Sequence, residues 1–357
     1  MEASDIVIIG GGVAGLTLAA ELAGSAKVLV LEAEAHFGYH ASGRSAALYE
    51  PAYGAPAVRA LTEASLPAYQ AGGWLSPRGL MLLGQAGEDE GFRADVAGMN
   101  LQELSLAEAR EIVPILSRSV AFAAFCDRPQ DIDTDRLMQD ALKRLRAGGG
   151  ALRTGLRVTA IRRDGGNWLV TAGDEVFAAP VLVNAAGAWV NEIAAMAGVS
   201  GPQFQPCRRS VARIAAPGGA DLRRWPIFFG IGESWYAKPD AGALIVSPAE
   251  ETPVAPHDAF SDDMALAEGL ERYQAHVTPE VTRPLATWGG LRTFAPDRVL
   301  VIGEDPVQPG FFWQAGQGGY GFQTAPGAAR LGADLILGRA PELSADLVAA
   351  LSPARFG

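Results

Sequence analysis

The sequence predicts an α/β fold, a doubly wound parallel-sheet domain interrupted by a β-rich one. Three observations predict it. Residues 5–32 read as strand, glycine turn, helix and strand; Val181–Trp189 is a buried strand running into a second glycine turn and a helix; and α/β character returns after residue 296, behind a strand-rich stretch at 206–295.

The elements follow in order. Ile6–Ile9 is an unbroken apolar run, as in a strand buried on both faces. An Ala/Leu-rich helix extends to about Leu22, and Val28–Glu32 is a second strand ending in an acid. Residues 56–71 have helical character, Gly79–Leu83 is a short apolar strand after Pro77, and Leu106–Val113 is a helix that Ser105 can cap. Asp133-Thr134-Asp135 opens a helix over Arg136–Arg146, which three glycines stop. Strands Arg157–Arg162 and Trp168–Ala172 flank a Gly165-Gly166-Asn167 turn. Val299–Ile302 and Phe311–Gln314 precede a glycine-rich turn and a helix over Thr324–Leu337. Residues 1–76, 131–205 and 296–357 are assigned to the first domain, and 77–130 and 206–295 to the second, β-rich one.

Composition narrows the function. A chain of 357 residues exceeds what one core usually organises. With 49% hydrophobic and 19% charged residues, a sizeable core is available. The net charge of −11 and the absence of a Lys/Arg run exclude a nucleic-acid binder, and any anionic substrate needs local arginines to capture it. Two cysteines, Cys126 and Cys207, are too few for a disulfide framework or zinc site. His36, His40, His257 and His276 show no ligand spacing, so no metal is expected. No basic leader precedes the first strand and no run of 18 apolar residues occurs, so a cytoplasmic protein without a membrane span is expected.

Gly10-Gly11-Gly12-Val13-Ala14-Gly15 carries the G-x-G-x-x-G spacing between a strand and a helix. Gly10 makes the tight turn, Gly12 lets backbone approach a pyrophosphate, and Gly15 lets helix and strand pack closely. Glu32, at the end of the next strand and followed by Ala33, suits ribose hydroxyls and argues against a 2′-phosphate. A second glycine-rich helix entry, Gly316–Gly321, distinguishes FAD from a nicotinamide cofactor, because it offers backbone N–H groups to an electron-rich ring.

With these motifs, and with His40–Ala47, Val183–Trp189, Trp288–Thr293 and Gln317–Gln323, the sequence resembles the D-amino-acid oxidase-like (DAO) family of FAD-dependent oxidoreductases over nearly its whole length. Among that family it is most similar to the bacterial D-arginine and D-amino-acid dehydrogenases. The resemblance implies a Rossmann-like FAD domain of the glutathione-reductase type, with the flavin at the domain interface. It places Gly10, Gly12, Val13, Ala14, Gly15, Glu32 and Ala33 along the nucleotide. Ser42, Arg44, Ser45 and Ala46 fall at the flavin and pyrophosphate, Val158 near the adenine, and Ala186, Gly187 and Trp189 beside the pyrophosphate. Gly318, Gly319, Tyr320, Gly321, Phe322 and Gln323 fall at the pyrimidine end. With no cysteine near Gly316–Gln323, FAD is expected to be non-covalent.

Amine oxidation at flavin needs the substrate carboxylate clamped, a neutral amine, and exclusion of water. Arg292 is the first candidate for the clamp, since a guanidinium matches a carboxylate bidentately. Arg209 is the second; it adjoins Arg208, and on a strand only one of the two points inward. The resemblance gives Tyr236 to the same carboxylate, Tyr53 to the entry side, the Gly319 carbonyl to the amine, and Gln323 to ordering water. Leu48 and Leu80 stand where the D-arginine-type relatives carry His and Glu, so a neutral or apolar side chain is expected. The expected reaction is oxidative deamination of a D-amino acid by hydride transfer to flavin, the imino acid then hydrolysing. Electrons would pass on to oxygen, a quinone or another carrier. The alternatives are a glycine- or sarcosine-type secondary-amine oxidase, and a flavin-binding partner protein without turnover.

Overall fold

The computed structural model describes residues 2–357. Its first sheet has six strands in the order Ala151–Arg153, Val28–Leu31, Ile6–Ile9, Val181–Asn184, Phe311–Ala315, Val301–Glu304. All pairings are parallel except the last. Every residue of Ile6–Ile9 and Val28–Leu31 is buried, as covering on both faces demands.

The two faces are covered differently. Ile6, Ile8, Val28 and Val30 point into a core shared with helices Val13–Leu22, Pro56–Gly72, Thr134–Ala147 and Ala325–Ile336. Val7, Ile9, Leu29 and Leu31 point into a second core with Trp168, Val170 and Phe177. Those three belong to an antiparallel sheet of Val158–Asp164, Asn167–Ala172 and Glu175–Ala179, edged by Glu2–Ala3. The doubly wound expectation is corrected here. One face carries helices, while the other carries mainly a β-sheet and the short helix Val190–Met196.

The second large sheet has nine strands, drawn from residues 80–126 and 205–294. Its longest pairing joins Gln205–Ala215 to Ala286–Phe294 in antiparallel register. The stretch 206–295 holds one long helix, Asp263–His276, packed against the sheet through Tyr273. Asp133 caps Thr134–Ala147 and Ser105 closes a capping box on Leu106–Ile112, where the sequence locates both helix starts. No described helix is long and apolar enough to cross a membrane.

Candidate functional site

The glycine loop at the end of Ile6–Ile9 divides its work among three residues. Gly10 has φ +111° and no room for a side chain against the Ala185 carbonyl, and a methyl on Gly15 would drive into the Gly10 carbonyl oxygen. Gly12 differs: a Cβ there would approach only Ser42 Oγ, at 3.2 Å, because the residue faces an open channel. Ser42 Oγ accepts the Val13 N–H at 2.9 Å, and Glu32 accepts the N–H groups of Gly11 (2.8 Å) and Glu34 (2.9 Å). A carboxylate has lone pairs beyond those two bonds, so Glu32 can still accept from a ligand.

Two cavities meet along this loop, sharing walls at Gly12, Ser42, Arg44, Gly187 and Gly290. One runs past Gly10, Glu32, Ala33, Val158, Ala186 and Trp189. The other runs past Val13, Ala14, Ser45 and Ala46 to Gly318, Gly319, Gly321, Phe322 and Gln323. Together they form a channel with a helix N-terminus at its middle and a glycine where backbone can approach a ligand. That shape and polarity fit an extended dinucleotide.

Of the residues the sequence points to, Gly15 and Tyr320 do not line the channel. Gly15 packs behind the loop, and the Tyr320 ring sits against Tyr53 and Phe294, 5.4 and 6.4 Å between centroids. Arg44 lines the walls, but its guanidinium is committed to protein: it donates to the carbonyls of Tyr39, Ala259 and Gly289 and pairs with Asp258 at 2.5 Å. It braces the 41–44 turn against residues 258, 259 and 289 and is not free to hold a phosphate. The Gln323 amide NH2 likewise donates to the Tyr53 carbonyl (3.2 Å) and Thr62 Oγ1 (3.0 Å), so it anchors the loop bearing Tyr53.

The far end of the channel brings Arg292, Arg209, Tyr53 and Tyr236 to one cavity with Leu48 and Leu80. The register explains the two arginines. Arg209 lies opposite Gly290 and Cys207 opposite Arg292, so Arg209 and Arg292 are diagonal neighbours on one face. Arg208, on the other face, pairs with Asp262 at 2.6 Å. Glu251 alone serves three guanidiniums, Arg209 at 3.2 Å, Arg292 at 3.6 Å and Arg298 at 2.7 Å. Arg292 Nη1 is buried and makes no hydrogen bond. Burial and the neighbouring Arg292 lower the pKa of Arg209. Burial pulls Arg292 the same way, but Tyr53, Tyr236 and Glu251 outweigh it and raise its pKa. Gly319 stands over Arg292; a Cβ there would lie 3.0 Å from Nη1.

Two carboxylates of this cavity escaped the sequence reading. Glu233, at φ +54° in the turn before Tyr236, accepts the Tyr53 hydroxyl at 3.3 Å. Glu50 is 5% exposed and accepts the Ala52 N–H at 2.8 Å. Neither has a motif around it; Glu233 is signalled only by its place three residues before Tyr236. Their presence corrects the expectation of an apolar pocket: Leu48 and Leu80 do line it, beside ionisable oxygen.

Burial raises the pKa of Glu50, more than its bond from Ala52 and the charge of Arg128 lower it. A folded-state value above the unfolded one means that stability falls as pH rises from the ordinary carboxylate value through the raised one. Glu50→Gln is therefore expected to melt higher than the parent at about pH 8, the difference shrinking by about pH 5. Equal melting temperatures at pH 8 would contradict the burial assigned to this group.

Comparison with known proteins agrees with the channel. The family model described as DAO, FAD dependent oxidoreductase, matches residues 5–335. Glycine oxidase of Pseudomonas aeruginosa is 28% identical over 358 residues, covering 94% of this chain and 95% of its own. A D-amino acid dehydrogenase of Cereibacter sphaeroides is 49% identical over 61 residues, 17% of this chain and 14% of its own. The crystal structure of glycine oxidase from Geobacillus kaustophilus has the same fold, with TM-score 0.84 and 24% identity over 100% of both chains.

Proposed function

Because the chain belongs to the DAO family of FAD-dependent oxidoreductases, with FAD as its cofactor, we propose that it oxidises the Cα–N bond of a D-amino acid. The imino acid released hydrolyses to a 2-oxo acid and ammonia. FAD, when bound, supplies the two-electron acceptor. The observation that carries the reading is the convergence of Arg292 and Arg209 on one cavity wall, with three guanidiniums sharing the single carboxylate of Glu251. Such a cluster holds more positive charge than Glu251 offsets, and a substrate carboxylate supplies the balance bidentately.

In this reading Arg292 and Arg209 clamp the carboxylate and Tyr236 adds its hydroxyl. The Gly319 carbonyl accepts from the amine, and Tyr53 closes the entry. The surrounding positive charge favours the neutral amine, which must lose its proton before its α-hydrogen leaves. Gly10, Gly12, Val13 and Ala14 with Glu32 and Ala33 carry the nucleotide, with Gly15 packed behind them, and Gly318, Gly319, Gly321, Phe322 and Gln323 approach the ring.

The D-configuration is supported by the stretch shared with the Cereibacter sphaeroides D-amino acid dehydrogenase. The Pseudomonas aeruginosa relative, named glycine oxidase, favours the second reading, an oxidase of glycine or a secondary amine. Anaerobic mixing with D- and L-amino acids, glycine and sarcosine separates them. Bleaching of the flavin by D-isomers alone is the expected result. Bleaching by L-isomers overturns the configuration, and bleaching by glycine or sarcosine alone establishes the second reading.

A further inference from the structure

The reaction described above makes no use of Glu50. This residue follows the two-residue strand Leu48–Tyr49, whose pairing with Gln130 and Asp131 draws it under the surface. Oε1 takes the Ala52 N–H, whereas Oε2 accepts no bond from the described residues and retains accessible surface. Among those residues no Lys, Arg or His comes within ion-pair distance. The strongest charge that Glu50 feels is Arg128, which spends its guanidinium on the carbonyls of Met99 and Asn100. Yet Glu50 lines the same cavity as Arg292 and Tyr236.

A buried carboxylate without a counter-ion is costly, and a cation delivered into the cavity by a ligand offsets that cost. Its place in the cavity says where that charge sits on the ligand. Arg209 and Arg292 both pair with Glu251, and neither pairs with Glu50. Glu233, by contrast, belongs to the arginine end, where it shares the Tyr53 hydroxyl and feels Arg292 and Arg209. The cavity therefore has an arginine pole and a separate carboxylate pole, with Leu48, Leu80, Met99 and Phe229 supplying apolar wall.

We propose that Glu50 receives the cationic end of the substrate side chain, so that this enzyme takes amino acids bearing a distal ammonium or guanidinium. The inference rests on the reading of Arg292 as the carboxylate clamp. The two leucines, which alone suggested an apolar substrate, then sheathe the methylene stem while Glu50 meets the charge. Long cationic side chains bury their stems along apolar surface in this way.

The test is equilibrium binding to the FAD-loaded enzyme, by calorimetry, of two ligands that lack an α-amine and cannot react: 6-aminohexanoate and hexanoate. The parent enzyme is expected to bind 6-aminohexanoate roughly tenfold or more tightly than hexanoate, the scale of one charge-assisted bond. Glu50→Gln should erase that preference and leave hexanoate binding within about twofold. If the parent binds hexanoate as well as or better than 6-aminohexanoate, or if Glu50→Gln keeps the preference, the proposal is overturned and the clamp stands. If neither carboxylate binds the parent, the clamp falls and takes the proposal with it. The comparison of the two ligands on the parent enzyme decides the matter even if the variant does not fold.

Discussion

Arg292→Met is expected to cost the enzyme about 2–5 kcal/mol of substrate binding, roughly 30-fold to several-thousand-fold in kcat/KM, with most of it appearing in KM. Methionine keeps much of the volume and removes the fork. The guanidinium lines the cavity beside Arg209 and its pairing with Glu251 is long, at 3.6 Å, so the deletion chiefly removes a ligand contact. Glu251 keeps Arg209 and Arg298, which limits the damage to the fold. Arg292→Lys should recover little, because an ammonium cannot present two parallel N–H bonds. Steady-state kinetics, with melting temperature as the control, checks this. A near-normal KM in Arg292→Met would remove Arg292 from the clamp.

Gly12→Val is expected to yield a folded but colourless protein, with FAD affinity down by at least about 100-fold. Gly12 caps its helix at φ −77° and ψ −177°, a conformation open to any residue, and a Cβ there meets only Ser42 Oγ. The added side chain therefore strains little of the protein and fills the space where backbone must approach the pyrophosphate. Gly15→Val makes the contrasting case. Its Cβ would collide with the Gly10 backbone and touch Ala185, so it should lower folding yield itself. The absorbance of bound flavin, read against circular dichroism, separates the two outcomes. A yellow Gly12→Val enzyme would mean that the loop does not carry the pyrophosphate.

The parts of the fold written in local patterns were legible in the sequence. Ile6–Ile9 and Val28–Leu31 are apolar throughout because both faces are covered, and the Asp133 and Ser105 caps act on residues three positions away. What covers a face is a long-range matter. The strands at 157–162 and 168–172 were readable as strands, but nothing in their alternation says that Trp168 packs on the parallel sheet, and the neighbouring strand Glu175–Ala179, which adds Phe177 to that core, carried no signal of its own. The site divides the same way. The glycines and Glu32 announce themselves by spacing, whereas the placing of Arg209 beside Arg292 depends on the register between Gln205–Ala215 and Ala286–Phe294, strands far apart in the chain. Arg44 sits in a motif yet is bonded to carbonyls from residues 259 and 289, which no local reading reveals. Glu50 and Glu233 are lone carboxylates in unremarked turns. Their meaning comes from burial, and burial comes from packing.

The central claim is that the arginine pair holds the substrate carboxylate and so sets the Cα–H bond for oxidation. Anaerobic single-turnover reduction of the bound flavin tests it most directly, comparing a D-amino acid that bleaches the enzyme with the amine left when its carboxyl group is removed. The amino acid is expected to react at least about 100-fold faster at equal concentration. Equal rates for the two would mean that the guanidiniums do not position the substrate.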